Sequence, residues 1–294
     1  YPRDFSSIPM PKASNGDYGE VGSDDVALNK KFEAERIGFL TKATTDILVQ
    51  AITRAKRPLF TIALIAGDVV MIDMMHKAGL LDKVKIVYID TYTLFPETNA
   101  YLHELEEHYG FKAEVYHAKG IDTQADFEKG KKKRFFSGDK LVDVKGYDTL
   151  CKVEPFQRAR KEANADCWIN GRRRDHGDDR ASLHCWEGAK LNPLAFWSFE
   201  DCWIYLRNND VPYHPLHDDG FSSIGDVHST IRVDHDEWMG YGNERKGRFV
   251  GMKDADGKTK TECGLHGGAS AGALAPKAKR AKVEEQAERP TATA

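Results

Sequence analysis

Cys263 stands in Lys260-Thr261-Glu262-Cys263-Gly264-Leu265-His266, with a carboxylate before it, a glycine after it and a histidine three residues on. A thiol in a glycine-containing segment near a chain end is badly placed to fill a core. It is well placed to attack a bound molecule. Lys260 or a protonated His266 favours the thiolate, the reactive form of a group whose free pKa is roughly 8.5. On local composition alone, a spectator thiol in a frayed tail stays open as the alternative. A second set of residues points to anions. Gly171-Arg172-Arg173-Arg174-Asp175 places three arginines directly after an apolar stretch, and Arg245 and Arg248 follow nearer to the cysteine. Planar guanidinium groups match sulfate and phosphate oxygens in pairs. A thiolate attacks a sulfur or phosphorus shielded by negative oxygens only where fixed cations neutralise that charge.

Composition narrows the class. A chain of 294 residues holds one large domain or two small ones. A net charge of −3 offers no basic field for nucleic acid. No apolar run approaches the roughly 18 residues of a membrane span. The chain begins Tyr1-Pro2-Arg3, without Met or an apolar leader, and reads as trimmed or as a fragment. The five cysteines, Cys151, Cys167, Cys185, Cys202 and Cys263, are odd in number and never spaced C-x-x-C. That argues against a disulfide scaffold and a zinc ribbon, and for a reducing compartment such as cytoplasm or plastid.

The elements that must position these residues follow from periodicity. Residues 1–25 are rich in Pro, Ser, Gly and Asp and read as a mobile arm. Helical spacing over 26–56 predicts two helices with a break near Thr44 and Thr45. Residues 59–65 and 84–89 read as buried parallel strands, 113–116 as a third and 166–170 as another. Between them come a turn at 66–68, a helix at 69–78, and a helix entered at 95–98 that runs to Tyr109. Residues 119–150, with the basic run 129–134, read as a solvated loop. Residues 154–163 and 199–208 read as helices. Cys167, Cys185 and Cys202 then read as core thiols. Strand, helix, strand in repetition predicts an α/β fold: an open, mostly parallel sheet with helices on both faces. Ligands of such sheets bind beyond the carboxyl ends of the strands, which brings the 66–68 turn and the Asp90-Thr91 tip to one crevice. Past Gly268 the composition predicts a disordered tail over 267–294. Its run 276–282 reads as a soluble tail, with a nuclear import signal as the alternative.

These pieces, in this order, resemble the thioredoxin-dependent phosphoadenylyl-sulfate (PAPS) reductases and their adenylyl-sulfate (APS) reductase relatives. The resemblance rests on IDTYTLFPET (89–98), KVEPFQRA (152–159), INGRRRDHGDDRA (169–181), LNPLAFWSFEDCWIYL (191–206), VPYHPLHDDGFSSIGDVHST (211–230), ERKGRF (244–249) and KTECGLH (260–266). It implies an adenine nucleotide α-hydrolase-like catalytic domain over 26–266, often found as homodimers. It implies Cys263 as nucleophile, forming an S-sulfonated intermediate that thioredoxin or glutaredoxin discharges as sulfite. It implies that Lys152, Arg172, Arg173, Arg245 and Arg248 hold sulfate and phosphates, with His266 in the nucleophile's surroundings. APS reductases carry cysteine pairs that bind an iron–sulfur cluster. Here Asp226 and Ser229 occupy the places of one pair, and only Cys151 stands upstream. The resemblance is therefore to the cluster-free branch, with no bound metal or cofactor expected. The family's first strand leads into a Ser-Phe-Gly loop that cradles phosphate. This chain has Ala63-Leu64-Ile65 there, with Thr61 two residues upstream. A cluster-free APS reductase, a nucleotide-binding regulator without turnover, and an adenylyl-transferring enzyme of the same superfold stay open as alternatives.

Overall fold

The computed structural model describes residues 3–8, 23–177, 180–253, 257 and 259–261. Cys263, His266 and the 267–294 tail lie outside the described residues. A long helix α1 (Ser23–Arg54) leads into β1 (Pro58–Ile62), α2 (Ala66–Lys77), β2 (Lys85–Ile89), α3 (Pro96–Tyr109) and β3 (Glu114–Tyr116). A hairpin of β4 (Phe136–Ser137) and β5 (Lys140–Leu141) follows, then α4 (Val144–Asp148) and α5 (Glu154–Glu162). β6 (Cys167–Ile169), β7 (Trp186–Glu187), β8 (Lys190–Leu191) and α6 (Phe199–Asn208) complete the frame. The sheet has the order β3-β2-β1-β6-β8-β7 and is parallel except for the β7–β8 hairpin.

The alternation of side chains along the strands sets the layers. Phe60, Ile62, Ile86 and Tyr88 face a core shared with α1, α2, α3 and α6. Leu59, Val87 and Tyr116 face the other side, where Ala159 of α5 covers them. Strands buried on both faces need continuous apolar runs, which is why β1 and β2 are so readable in the sequence. The chain leaves β1 toward β2 and β3, then returns to lay β6 against the opposite edge of β1. That reversal opens a crevice at the carboxyl ends of β1 and β6.

The structure departs from sequence expectation in five places. α1 runs unbroken through Thr44 and Thr45. The Thr44 hydroxyl is buried and accepts a hydrogen bond from Trp197 Nε1 at 2.9 Å, so packing outweighs the small helix penalty of a β-branched residue. The turn lies at 63–65 and not 66–68: Leu64 takes φ 61°, and Ala66, Gly67 and Asp68 form the first turn of α2. Residues 119–150 are no mere loop. Phe127, Phe135, Phe136 and Tyr147 close a small second core with Cys151, which irregular spacing concealed. Residues 3–8 lie docked where a mobile arm was expected: Ile8 is buried, Arg3 pairs with Glu104 at 2.6 Å, and the Tyr213 hydroxyl donates to the Asp4 carbonyl at 2.7 Å. Cys202 and Cys167 are core thiols, but Cys185 is only half-buried.

Three histidines are buried beneath this frame. His214 Nδ1 accepts the Leu216 N–H at 3.2 Å, and its Nε2 lies 2.9 Å from the Thr98 hydroxyl. Burial pushes His214 down to about 2, His217 to about 4 and His176 to about 3. Below about pH 6.5 the unfolded chain takes up protons that the folded chain refuses, so these groups withdraw stability as pH falls toward their folded values. Asp68 works in the opposite sense, because burial raises it to about 7 and the folded chain keeps its proton. Acid should therefore destabilise the protein from about pH 6.5 downward. In urea unfolding at pH 5, 6 and 7, His214→Gln should flatten the pH dependence by about 1.4 kcal/mol per pH unit, one proton's worth. An unchanged slope would refute the buried neutral state of His214.

Candidate functional site

A cleft of about 170 Å³ opens at the carboxyl ends of β1, β2 and β6. Its apolar wall includes Ile62, Tyr88, Ile89, Phe156 and Ile224, a surface suited to a flat ring. Five basic side chains line it, Lys152, Arg172, Arg180, Arg245 and Arg248, against two carboxylates, Asp68 and Asp226. Such a cleft attracts anions.

Each cation is held by a different element. Arg172 leaves the end of β6, with Nη1 at 3.4 Å from Glu187. Arg180 Nη1 lies 2.7 Å from His176 Nδ1. Arg248 Nη1 donates to the Ile224 carbonyl at 3.0 Å, lying so close to the backbone that a Cβ on Gly225 would overlap its guanidinium. Lys152 pairs with Asp226 at 2.6 Å and with Asp148 at 3.2 Å. Asp226 also accepts from the hydroxyls of Thr91 at 2.7 Å and Tyr147 at 2.8 Å. Burial alone would raise this carboxyl, but Lys152 and these donors outweigh it and hold Asp226 well below the usual carboxylate range. Phe249 sits at the centre, buried, with φ 58°. Around its ring stand Lys152 and Arg245 at 5.8 Å, and Arg248 and Lys260 at 5.1 Å. An aromatic face is one of the few apolar surfaces that attracts cations.

The structure brings together Lys152, Arg172, Arg245, Arg248 and Thr91. Arg173 is absent from the cleft. Its guanidinium is fully buried and ion-paired with Glu244, with Asp175 at 3.8 Å. His176 Nε2 lies 2.9 Å from the same Glu244 carboxylate. Backbone at Arg173 is extended, with φ −129° and ψ 155°, and neighbouring side chains on extended backbone point to opposite sides. Asp90 also turns aside, accepting from the Tyr92 N–H at 2.8 Å. Sequence reasoning gave no role to Tyr147, Asp148, Glu244 or Phe249. Only the neighbourhood of Glu244 and Phe249 to the paired arginines hinted at them. Asp226 was noticed solely for standing where relatives of the resembled family carry a cysteine.

Asp68 closes the floor. Its carboxylate accepts the Ala63 N–H at 2.6 Å, and a Cβ on Gly171 would collide with it. The chain's own carboxylate thus occupies part of the loop after β1. Among the described cysteines none lines the cleft. Burial pushes Cys167 up to about 11 and Cys202 to about 12, and it raises Cys185 too.

Residues 58–232 match the family model of the phosphoadenosine phosphosulfate reductase domain. A phosphoadenosine phosphosulfate reductase of Emericella nidulans is 31% identical over 280 residues, covering 90% of this chain and 87% of its own. That of Saccharomyces cerevisiae is 38% identical over 67% of this chain and 74% of its own. Among solved structures, the PAPS reductase of Candida auris in a phosphate complex is similar with a TM-score of 0.56 at 30% identity, covering 67% of this chain and 97% of that one. Candida glabrata FMN adenylyltransferase with ATP reaches 0.52 at 15% identity, over 69% of this chain and 65% of its own, and shares the fold alone. The sheet is of the adenine nucleotide α-hydrolase-like kind.

If the packing of Arg248 on Gly225 shapes the anion site, Gly225→Ala should displace the guanidinium and weaken pyrophosphate binding about tenfold or more, measured by calorimetry. Unchanged affinity in a folded variant would remove Arg248 from the site.

Proposed function

Since this chain belongs to the phosphoadenosine phosphosulfate reductase family, and so reduces PAPS in sulfate assimilation, we propose that it works in two steps on the single thiol of Cys263. The observation that carries this reading is the hydrogen bond from Arg245 Nη2 to the Thr261 carbonyl, at 2.7 Å. Arg245 lines the cleft, and Thr261 stands two residues before Cys263. Two residues of chain span at most about 7 Å, so the thiol is within reach of the cleft mouth. Cys151, Cys167 and Cys202 are buried and no described cysteine lines the cleft, so none of them is placed as a rival nucleophile.

In the first step the Cys263 thiolate attacks the sulfonate sulfur of PAPS. An S–S bond forms, the S–O bond to the phosphate breaks, and adenosine 3′,5′-bisphosphate leaves with the electron pair. Arg172, Arg245, Arg248 and Lys152, joined by Arg180, hold the sulfate and phosphates and offset the charge that grows on the leaving oxygen. The apolar wall takes the adenine. Thr91 acts on the site by orienting Asp226, and Arg173 by fixing Glu244 beside Arg245. Asp90, at the tip of β2, and His266, which the resemblance puts beside the thiol, complete the candidate contacts. In the second step one thiol of a dithiol protein, thioredoxin or glutaredoxin, attacks Cys263 Sγ and releases sulfite. The partner's second thiol then attacks the mixed disulfide, freeing the Cys263 thiolate and leaving the partner oxidised by two electrons. No cofactor is needed. Asp226 and Ser229, where cluster-bearing relatives carry cysteines, have oxygens engaged within the protein, Ser229 Oγ on the Asp226 carbonyl at 3.3 Å. A homodimer accords with the family resemblance.

A second reading, a nucleotide-binding protein without turnover, draws support from Asp68, whose carboxylate occupies the loop after β1. One experiment separates the two. Incubated with PAPS and no reductant, the protein should gain about 80 Da on Cys263, and added thioredoxin should discharge it as sulfite. Cys263→Ser should bind nucleotide and form no adduct. Binding without any adduct in the unsubstituted protein would favour the regulator. Turnover should also be faster with PAPS than with APS, because Lys152 or a basic residue of the run 129–134 supplies a cation for the extra 3′-phosphate. Equal or better turnover of APS, in initial-rate assays at matched concentrations, would place the chain with cluster-free APS reductases.

A further inference from the structure

We propose that Asp148 is a positioning residue for the reaction, holding the Cys263 segment at the cleft through its ion pair with Lys260. The inference rests on the two-step reading for its purpose but on the geometry for its placement. Asp148 ends α4, next to Tyr147 of the small second core, and does not itself line the cleft. Its carboxylate serves two lysines at once. Oδ1 lies 3.2 Å from Lys152 Nζ, and Oδ2 accepts from Lys260 Nζ. All three side chains are nearly buried, at 11%, 8% and 7% exposure. Lys260 is further gripped from two sides. Its N–H donates to the Met252 carbonyl at 3.0 Å, and its ammonium stands 5.1 Å from the centre of the Phe249 ring.

The two lysines do not depend on Asp148 equally. Lys152 has a closer partner in Asp226, at 2.6 Å, and keeps it if Asp148 loses its charge. Among the described residues, Asp148 is the carboxylate that Lys260 pairs with. A buried ammonium stripped of its partner is strongly unfavourable and moves to water where the chain allows. Lys260 stands three residues before Cys263, so that movement carries the thiol away from the cleft. Asp148→Asn thus uncouples the thiol from the anion site and leaves the anion site itself intact.

The test uses the full chain and adenosine 3′,5′-bisphosphate as probe. With the nucleotide bound, alkylation of Cys263 by iodoacetamide, followed by peptide mass measurement, should slow at least tenfold in the unsubstituted protein. In Asp148→Asn that protection should fall below threefold, with the nucleotide Kd changed by less than threefold. Lys260→Met should lose protection equally, the double variant should be no worse than Lys260→Met, and Lys260→Arg should retain protection. These variants act at opposite ends of the pair, so a folding defect in one leaves the other to report. Full protection in Asp148→Asn, absence of protection in the unsubstituted protein, or additive effects in the double variant would overturn the proposal. Sulfite release is read separately. Protection behaving as expected with no sulfite formed would sink the two-step reading and leave the placement of Asp148 standing.

Discussion

Like charges resist being gathered, and this cleft gathers five. Two unit charges 4 Å apart interact by about 4 kcal/mol at the effective dielectric of a protein margin, so such a set needs opposing charge built into the frame. Two buried carboxylates supply it. Asp226 holds Lys152 on one side, and Glu244 holds Arg173 beneath the loop that carries Arg245 on the other. Both carboxyls sit well below their usual range despite burial, because the cations beside them outweigh the loss of water. Phe249 fills the space between, an apolar ring that cations tolerate at close range.

Asp226 and Glu244 are engaged by their own partners, Lys152 and Arg173. Five basic side chains against two carboxylates keep the cleft lining positive, which favours an anionic substrate. Breaking a buried pair costs about 3–5 kcal/mol, so the frame resists rearrangement and the cations stay preorganised.

Asp68 marks where this chain departs from the loop that its resemblance leads one to expect. A carboxylate accepting the Ala63 N–H replaces a hydroxyl and free amides as the feature of that loop. Burial raises it to about 7, so near neutral pH part of the population carries it uncharged, which eases the approach of an anion. The neutral acid and the surrounding arginines thus act in the same direction.

The sequence by itself determined the parts that rest on local physics. Continuous apolar runs made β1 and β2 legible, helical spacing made α3, α5 and α6 legible, and the type and order of the basic residues marked an anion site. The second core at 119–150 stayed hidden because its aromatics come together only through irregular turns. Tertiary structure alone decided which basic residue does what. Arg172 and Arg173 are adjacent and chemically identical, yet extended backbone sends one into the cleft and the other into the core. The pairing of Asp148 with Lys260, and of Asp226 with Lys152 and Tyr147, joins segments far apart in the chain. No spacing rule reports such contacts, because they exist only once the sheet has fixed the distances between its loops.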